Sequence, residues 1–191
     1  AEVQNQAEEA RRSLTKRDAA GAVLDLMTGQ RGLVRTLRGL TPVFGSFDDE
    51  EVDEHRLTQH LESDPDLARS ACWYWIRKVQ AYVYAAEYDR AATMAARAQP
   101  FLWTATADFL EAEYHFHAAL ARAAVADAAS PDERRGLLAQ VVGHHQRLLQ
   151  WTGTCPDNFE SRAALVGAEV ARLGGRETER DLDPARAALR A

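Results

Sequence analysis

The sequence predicts an all-α chain made of antiparallel helical hairpins, and three observations lead there. Trp75 and Tyr82 stand seven residues apart on one candidate helix, and Ala91 and Ala98 stand seven apart on the next. Alanine and arginine are abundant while β-branched residues are sparse, a bias toward helix. Breakers recur at intervals that suit paired helices: Pro100, Ser130-Pro131, Gly153 to Pro156, and Gly174-Gly175.

In chain order, apolar periodicity predicts a first helix over about 2–14 and a second over about 18–38, where Val23, Leu26, Met27, Leu33, Val34 and Leu37 form an apolar stripe. Gly29-Gln30-Arg31-Gly32 lies inside that stripe with no preceding strand. It therefore reads as a place of close helix packing or a kink, not as a phosphate loop. Gly39 to Ser46 carries Gly, Pro and Ser and makes the longest expected loop. Phe44 and Phe47 are expected to pack onto neighbouring helices, because a large apolar side chain left in water forgoes roughly 1.5–3 kcal/mol.

Asp48-Asp49-Glu50-Glu51 is expected to open a third helix reaching about residue 61, its carboxylates complementing the positive end of the helix dipole. A cation site there would lack the alternating ligands and the glycine of a calcium loop. Asp64 is the expected N-cap of the next helix, with Pro65 at its first position. Helix pairs then follow over about 66–85 with 88–98, 106–127 with 132–151, and 157–173 with a last helix near 177–190.

The 191 residues, 46% of them hydrophobic, suit one helical-repeat domain over 1–191 with a sizeable core. Lys and Arg number 23 against 29 Asp and Glu, a formal charge of −6 that argues against sequence-independent nucleic-acid binding. No run approaches the roughly 18 apolar residues that cross a bilayer. The opening Ala1-Glu2-Val3-Gln4 lacks the basic and apolar regions of a signal peptide. These features predict a soluble, cytoplasmic chain without membrane or nucleic-acid partners, and a start at Ala1 predicts processing or a piece of a larger protein. Cys72 and Cys155 form neither a disulfide framework nor a zinc spacing, so two reduced, partly buried thiols are expected.

Candidate chemistry is sparse. Glu111/His115 and Glu113/His117 are i,i+4 pairs, but residues two apart on a helix face about 200° apart, so the two pairs cannot converge on one ion. They read as partly buried histidines among core tyrosine and phenylalanine. His144-His145 diverge by about 100° and suit surface or interhelix hydrogen bonding. His55 and His60, five apart, have a poor ligand spacing. Nucleophile elbows, phosphate loops, dinucleotide fingerprints and zinc-protease motifs are missing from the sequence, so neither an enzyme nor a cofactor is expected. Trp73-Tyr74-Trp75 point in three directions, with Trp75 and Tyr82 anchoring the core. Trp73 then remains, with Arg77, Gln80 and Tyr114, as the candidate interaction surface.

Trp75, Tyr82, Tyr88, Ala91 and Ala98 together resemble a tetratricopeptide repeat, in which aromatics open the first helix and small residues let the second approach closely. Lys78 and Val79 stand where that pattern has a Leu-Gly step. The resemblance implies hairpins stacked as a tetratricopeptide-like right-handed superhelix.

A second resemblance is longer. Leu33 to Thr41, Phe44 to Glu50, His60 to Ser63, Cys72 to Lys78, Leu102 to Thr104, Ala112 to Phe116 and Cys155 to Glu160 are similar to the helical region of very large bacterial signalling proteins. Those proteins join a serine/threonine kinase, a STAND/AAA-like ATPase, a helical-repeat region, a GAF domain and a sensor histidine kinase. The likeness covers about residues 18 to 176, and the kinase and nucleotide-binding motifs lie outside it, so no catalytic residue transfers. It implies a non-catalytic regulatory scaffold that contacts adjacent domains or a partner protein. A stand-alone sensor with a small ligand in a concave helical pocket is the alternative. From about residue 177 the chain departs from the family, and Pro184 disfavours an unbroken last helix.

Overall fold

A computed structural model describes residues 25–106 and 108–175, and among them are seven α-helices packed against one another and no strand. The helices expected near 2–14 and 177–190, the start of the second, Val23 and Pro184 lie outside the described residues. We label the helical residues 25–37 α1. The others are α2 (Glu54–Ser63), α3 (Ala68–Tyr84), α4 (Tyr88–Ala98), α5 (Phe109–Val125), α6 (Pro131–Thr152) and α7 (Pro156–Leu173). Two 3-10 segments, Pro65–Leu67 and Gln99–Ala105, lead into α3 and out of α4.

The ends follow local chemistry. Asp53, Asp64 and Asp108 each accept a backbone N–H at the start of a helical segment. Ser130 and Glu133 form a reciprocal capping box at α6, with Pro131 in its first turn. Between α3 and α4 the chain reverses through Ala86 at φ 57, where the Glu87 N–H donates to the Tyr82 carbonyl at 2.9 Å.

α5 is the central element. It packs on α3, α4, α6 and α7, and α3 also packs on α4. One core joins Trp75, Ile76 and Val79 of α3 with Ala95, Ala98, Leu110 and Tyr114; a second joins Ala119 and Ala123 of α5 with Val141, Leu148, Ala163 and Val166. Every buried residue of α4 is alanine: Ala91, Ala95 and Ala98. With no side chain beyond Cβ in the contact, such a helix can sit at the short end of the usual 8–10 Å interaxial range. Trp75 lies in the cluster with Ala98, and Tyr82 in one with Ala91. Tyr88 begins α4 and is 37% exposed, so it takes no part in either.

The first described helix corrects the expected stripe. Gly29, Gly32, Leu33 and Thr36 face inward, whereas Met27, Val34 and Leu37 are exposed. The two glycines explain this. A Cβ on Gly29 would lie 3.3 Å from Tyr74 Cα, and one on Gly32 would lie 2.4 Å from Phe47 Cγ. Close packing is therefore the role of Gly29-x-x-Gly32, and the glycines, not the larger side chains, select the buried arc.

The loop that follows is anchored from α3. Lys78, buried on α3, donates to the Gly45 carbonyl at 2.6 Å and pairs with Glu54 Oε1 at 2.7 Å. Its ammonium lies over the Phe47 and Tyr82 rings. Tyr74 also donates to Glu54 Oε1, and Gly45 N–H donates to the buried Thr36 hydroxyl. Phe47 is buried as expected, but Phe44 is 41% exposed. Asp48 to Glu51 do not open α2. Asp49 Oδ1 accepts the N–H groups of Glu51 and Val52, closing a turn that leaves Asp53 as the cap.

Two glycine substitutions test this packing. Gly32→Ala must displace a Phe47 ring that is already buried, so it is expected to destabilise by about 1–3 kcal/mol. Gly143→Ala, inside α6 with open space around its Cβ, is expected to stabilise by about 0.5–1 kcal/mol. Urea denaturation of both variants checks the pair.

Candidate functional site

Helical spacing places Trp73, Arg77, Gln80 and Tyr84 along one side of α3. α5 and α7 complete a polar cluster against it. Gln80 Nε2 donates to Glu113 Oε2 at 2.5 Å, and Gln80 Oε1 accepts from Arg77 Nη1 at 2.7 Å. From α7, Arg162 Nη2 lies 2.6 Å from Glu113 Oε1. One carboxylate thus joins three helices.

His117 is buried beside it. Its Nδ1 lies 2.9 Å from the Glu113 carbonyl oxygen, which can only accept, so Nδ1 carries the proton. Nε2 is then free to accept from the Tyr84 hydroxyl at 3.2 Å. Burial holds the imidazole below its ordinary pKa against the opposing pull of Glu113, and it stays neutral. Burial likewise lowers the Arg77 pKa and raises that of Tyr84.

The edge of the cluster is aromatic and open to water. Tyr84 is 51% and Phe109 53% exposed, and the Arg162 guanidinium lies 4.8 Å from the Phe109 ring centroid. Among the described residues, the buried donors Trp73 Nε1, Arg77 Nε and Arg162 Nη1 have no hydrogen-bond partner, and Glu113 Oε1 has none beyond its ion pair with Arg162.

The residues expected at the surface divide. Trp73 and Arg77 are half-buried beside this cluster, whereas Gln80 and Tyr114 are 3% and 1% exposed. Gln80 is drawn inward because both ends of its amide are bonded between Arg77 and Glu113. Tyr114 lies on another side of α5, its ring against His115 and His144 and its hydroxyl donating to the Ala95 carbonyl at 3.3 Å. Neither is an accessible contact. Arg162 had no distinguishing motif, and Glu113 and His117 stood out only as an i,i+4 pair.

A second polar cluster joins α5 to α6. Arg122 Nη1 lies 3.1 Å from His144 Nε2, and His144 Nδ1 lies 2.8 Å from His115 Nδ1. Because a guanidinium only donates, His144 Nε2 accepts; its proton is on Nδ1 and is given to His115 Nδ1. The remaining His115 proton is on Nε2, facing Glu111 Oε1 at 4.0 Å, and that carboxylate is held by Arg147 at 3.0 Å. Burial lowers the pKa of His115 to about 4, and burial with the charge of Arg122 lowers that of His144 to about 3.

Glu111/His115 and Glu113/His117 therefore serve opposite sides of α5. Among the described residues no three histidines, cysteines or carboxylates are grouped to hold a metal ion, and no helix is long and apolar enough to cross a membrane. Cys72 is buried and Cys155 partly so, both as free thiols. Comparisons with protein-family models, curated proteins and solved structures gave no match.

Glu113→Leu would strip the partner from Arg162 and from the Gln80 amide. We expect a loss of about 3–5 kcal/mol in chemical denaturation, the usual consequence of removing one member of a buried ion pair, and a smaller loss for Glu113→Gln.

The histidines impose a pH dependence. They titrate near 6.5 in an unfolded chain, but folding keeps His115 neutral to about 4 and His144 to about 3. Their contribution is complete above about pH 7 and is lost as pH falls, because the unfolded state binds protons that the folded state excludes. Each adds a slope approaching about 1.4 kcal/mol per pH unit below the unfolded pKa. Urea midpoints between pH 7 and 5 should fall steeply for the parent and less steeply for His115→Gln/His144→Gln. His117 and His145, also held below their ordinary pKa by burial, supply the residual slope.

Proposed function

We propose that the chain is a non-catalytic, tetratricopeptide-like scaffold from a bacterial multidomain signalling kinase, and that it takes a protein segment against α3, α5 and α7. The single observation that carries this is the half-open cluster on that side. Exposed Tyr84 and Phe109 lie beside two half-buried arginines, Arg77 and Arg162, whose donors are not all used among the described residues. Aromatic and arginine side chains are the types that dominate binding energy at protein interfaces.

The packing of α5 on both α3 and α7 supports the superhelical part of the proposal. Helices two apart in sequence lie side by side, as the first helices of successive repeats do in a stacked array. The likeness of residues 18 to 176 to the helical region of the large kinases supports the signalling context. In that context the natural partner is a neighbouring domain or a signalling protein in the cytoplasm. The histidines favour structure over catalysis: His115 and His144 are bonded to each other, and His117 is held by a carbonyl and a hydroxyl.

Association can be measured against purified neighbouring segments of the same reading frame by titration calorimetry. Tyr84→Ser/Phe109→Ser should weaken it at least tenfold, about 1.4 kcal/mol, with helicity unchanged by circular dichroism. Unaltered association would place the contact elsewhere. ATP turnover that disappears on changing one residue of this chain would overturn the non-catalytic reading.

A further inference from the structure

We infer that the outward face of α1 and the loop after it form an isologous interface, on which a second copy of this chain docks about a two-fold axis. This surface is separate from the α3, α5 and α7 side and does not depend on it.

Helical geometry sets the face. At 100° per residue, Gly29, Gly32, Leu33 and Thr36 take the arc that packs inward. Met27, Gln30, Arg31, Val34, Leu37 and Arg38 are left on the opposite arc, all of them exposed. Leu40, Val43 and Phe44 of the following loop are exposed too. Six of the eleven large hydrophobic side chains exposed among the described residues thus fall between residues 27 and 44, a concentration that marks an interaction site where scattered side chains would not. Met27, Val34 and Leu40 line a hollow of about 400 Å³ on this face.

Charge decides what fits it. Arg31 pairs with Asp49 and Glu51, and Arg35 pairs with Asp49, so these two arginines are balanced by the acidic turn of their own chain. Arg38, on the same hollow, is exposed and has no acidic partner among the described residues. Glu50 is its converse. Asp48 accepts from the Ser46 hydroxyl and the Glu54 N–H, and Asp49 and Glu51 are held by arginines, while Glu50 is exposed and unpaired among the described residues. It lines a second hollow with Arg35, Leu40, Thr41 and Pro42.

The two hollows share Arg35 and Leu40, so an unpaired cation and an unpaired anion occupy adjoining recesses with an apolar residue in the wall between them. A two-fold axis through that wall lays each hollow over the other hollow of the second copy. Arg38 then meets Glu50 of the partner subunit twice, and Leu40 of both chains is buried near the axis. A patch that carries both members of an ion pair complements itself, the condition for a closed isologous dimer. An acidic helix from another protein, or an anionic bilayer, would satisfy Arg38 and set like charge against Glu50. Apolar burial supplies the affinity of such a contact, and the rim charges supply its register.

Sedimentation velocity of the full chain over a concentration series should show a reversible monomer–dimer equilibrium with no larger species. Val34→Asp places a charge in the apolar hollow at a position exposed in the monomer, so it should weaken dimerisation roughly tenfold or more with helicity unchanged by circular dichroism. Arg38→Glu and Glu50→Arg should each weaken it several-fold, since each sets like charges opposite one another twice. The double variant Arg38→Glu/Glu50→Arg should restore the parental association, a recovery that loss of fold could not produce. Tyr84→Ser/Phe109→Ser, on the other surface, should leave dimerisation unchanged. A full chain that stays monomeric at every concentration would overturn the inference and give the face to another occupant, whether residues 1–24, a partner protein or a bilayer. A dimer insensitive to Val34→Asp, a dimer abolished by Tyr84→Ser/Phe109→Ser, or charge reversals that the double variant does not rescue would overturn it equally.

Discussion

The side chain of Glu113 is the point on which the packing of alternate helices depends. Gln80 from α3 and Arg162 from α7 both reach it on α5, so the azimuth of all three helices is set by one buried carboxylate. An ion pair of this kind adds little net stability, because desolvation offsets most of the attraction. Its effect is on specificity. Rotating α5 by one residue, about 100°, would carry the charge away from both partners and into the apolar contacts now made by Ala112 and Tyr114. The alanine face of α4 is the complementary condition. Only side chains that small let α4 pack closely on α3 while α3 remains in contact with α5.

A second buried charge fixes the loop before α2. Lys78 stands where a tetratricopeptide pattern carries Leu, and its ammonium meets the Gly45 carbonyl and Glu54 between the Phe47 and Tyr82 rings. Gly45 has to be glycine. Its φ is 88°, and a Cβ would lie 3.0 Å from the Tyr82 ring. The departure from the repeat pattern is thus the device that ties an irregular segment to a regular hairpin. Phe47 connects both, packing against Tyr74 and filling the space left by Gly32.

Much of this was legible in the sequence. Proline, glycine and capping residues marked the ends of α3 to α7 within a few residues, and the Trp75, Tyr82, Ala91 and Ala98 spacing identified the α3/α4 hairpin. Periodicity fixes the angles between residues but not which arc is buried. In α1 the arc with two glycines and a threonine went inward because it allowed the nearest approach, against the hydrophobic preference of Met27, Val34 and Leu37. Asp48 to Glu51 had the composition of a helix start, yet the carboxylate of Asp49 bonds its own following backbone and closes a turn. Gln80 and Arg162 were opaque for a different reason: their partner Glu113 is on another hairpin, and the α5/α6 pair is longer than α3/α4, so no fixed repeat aligns the three.

The two sides of α5 resolve the cost of buried polarity in opposite ways. Toward α6, desolvation outweighs the pull of Glu111, and His115 and His144 remain neutral, linked through complementary tautomers. That solution links the helices through neutral imidazoles beside the buried guanidinium of Arg122, and it depends on pH. Toward α3 and α7 the charges are kept, since guanidinium groups cannot be discharged at any physiological pH. There Arg162 pairs with Glu113, and Arg77 lies in the field of both Glu113 and Asp108. The two sides of a single helix thus differ in kind: one is linked through neutral imidazoles beside Arg122, and the other holds a carboxylate between Arg162 and Gln80.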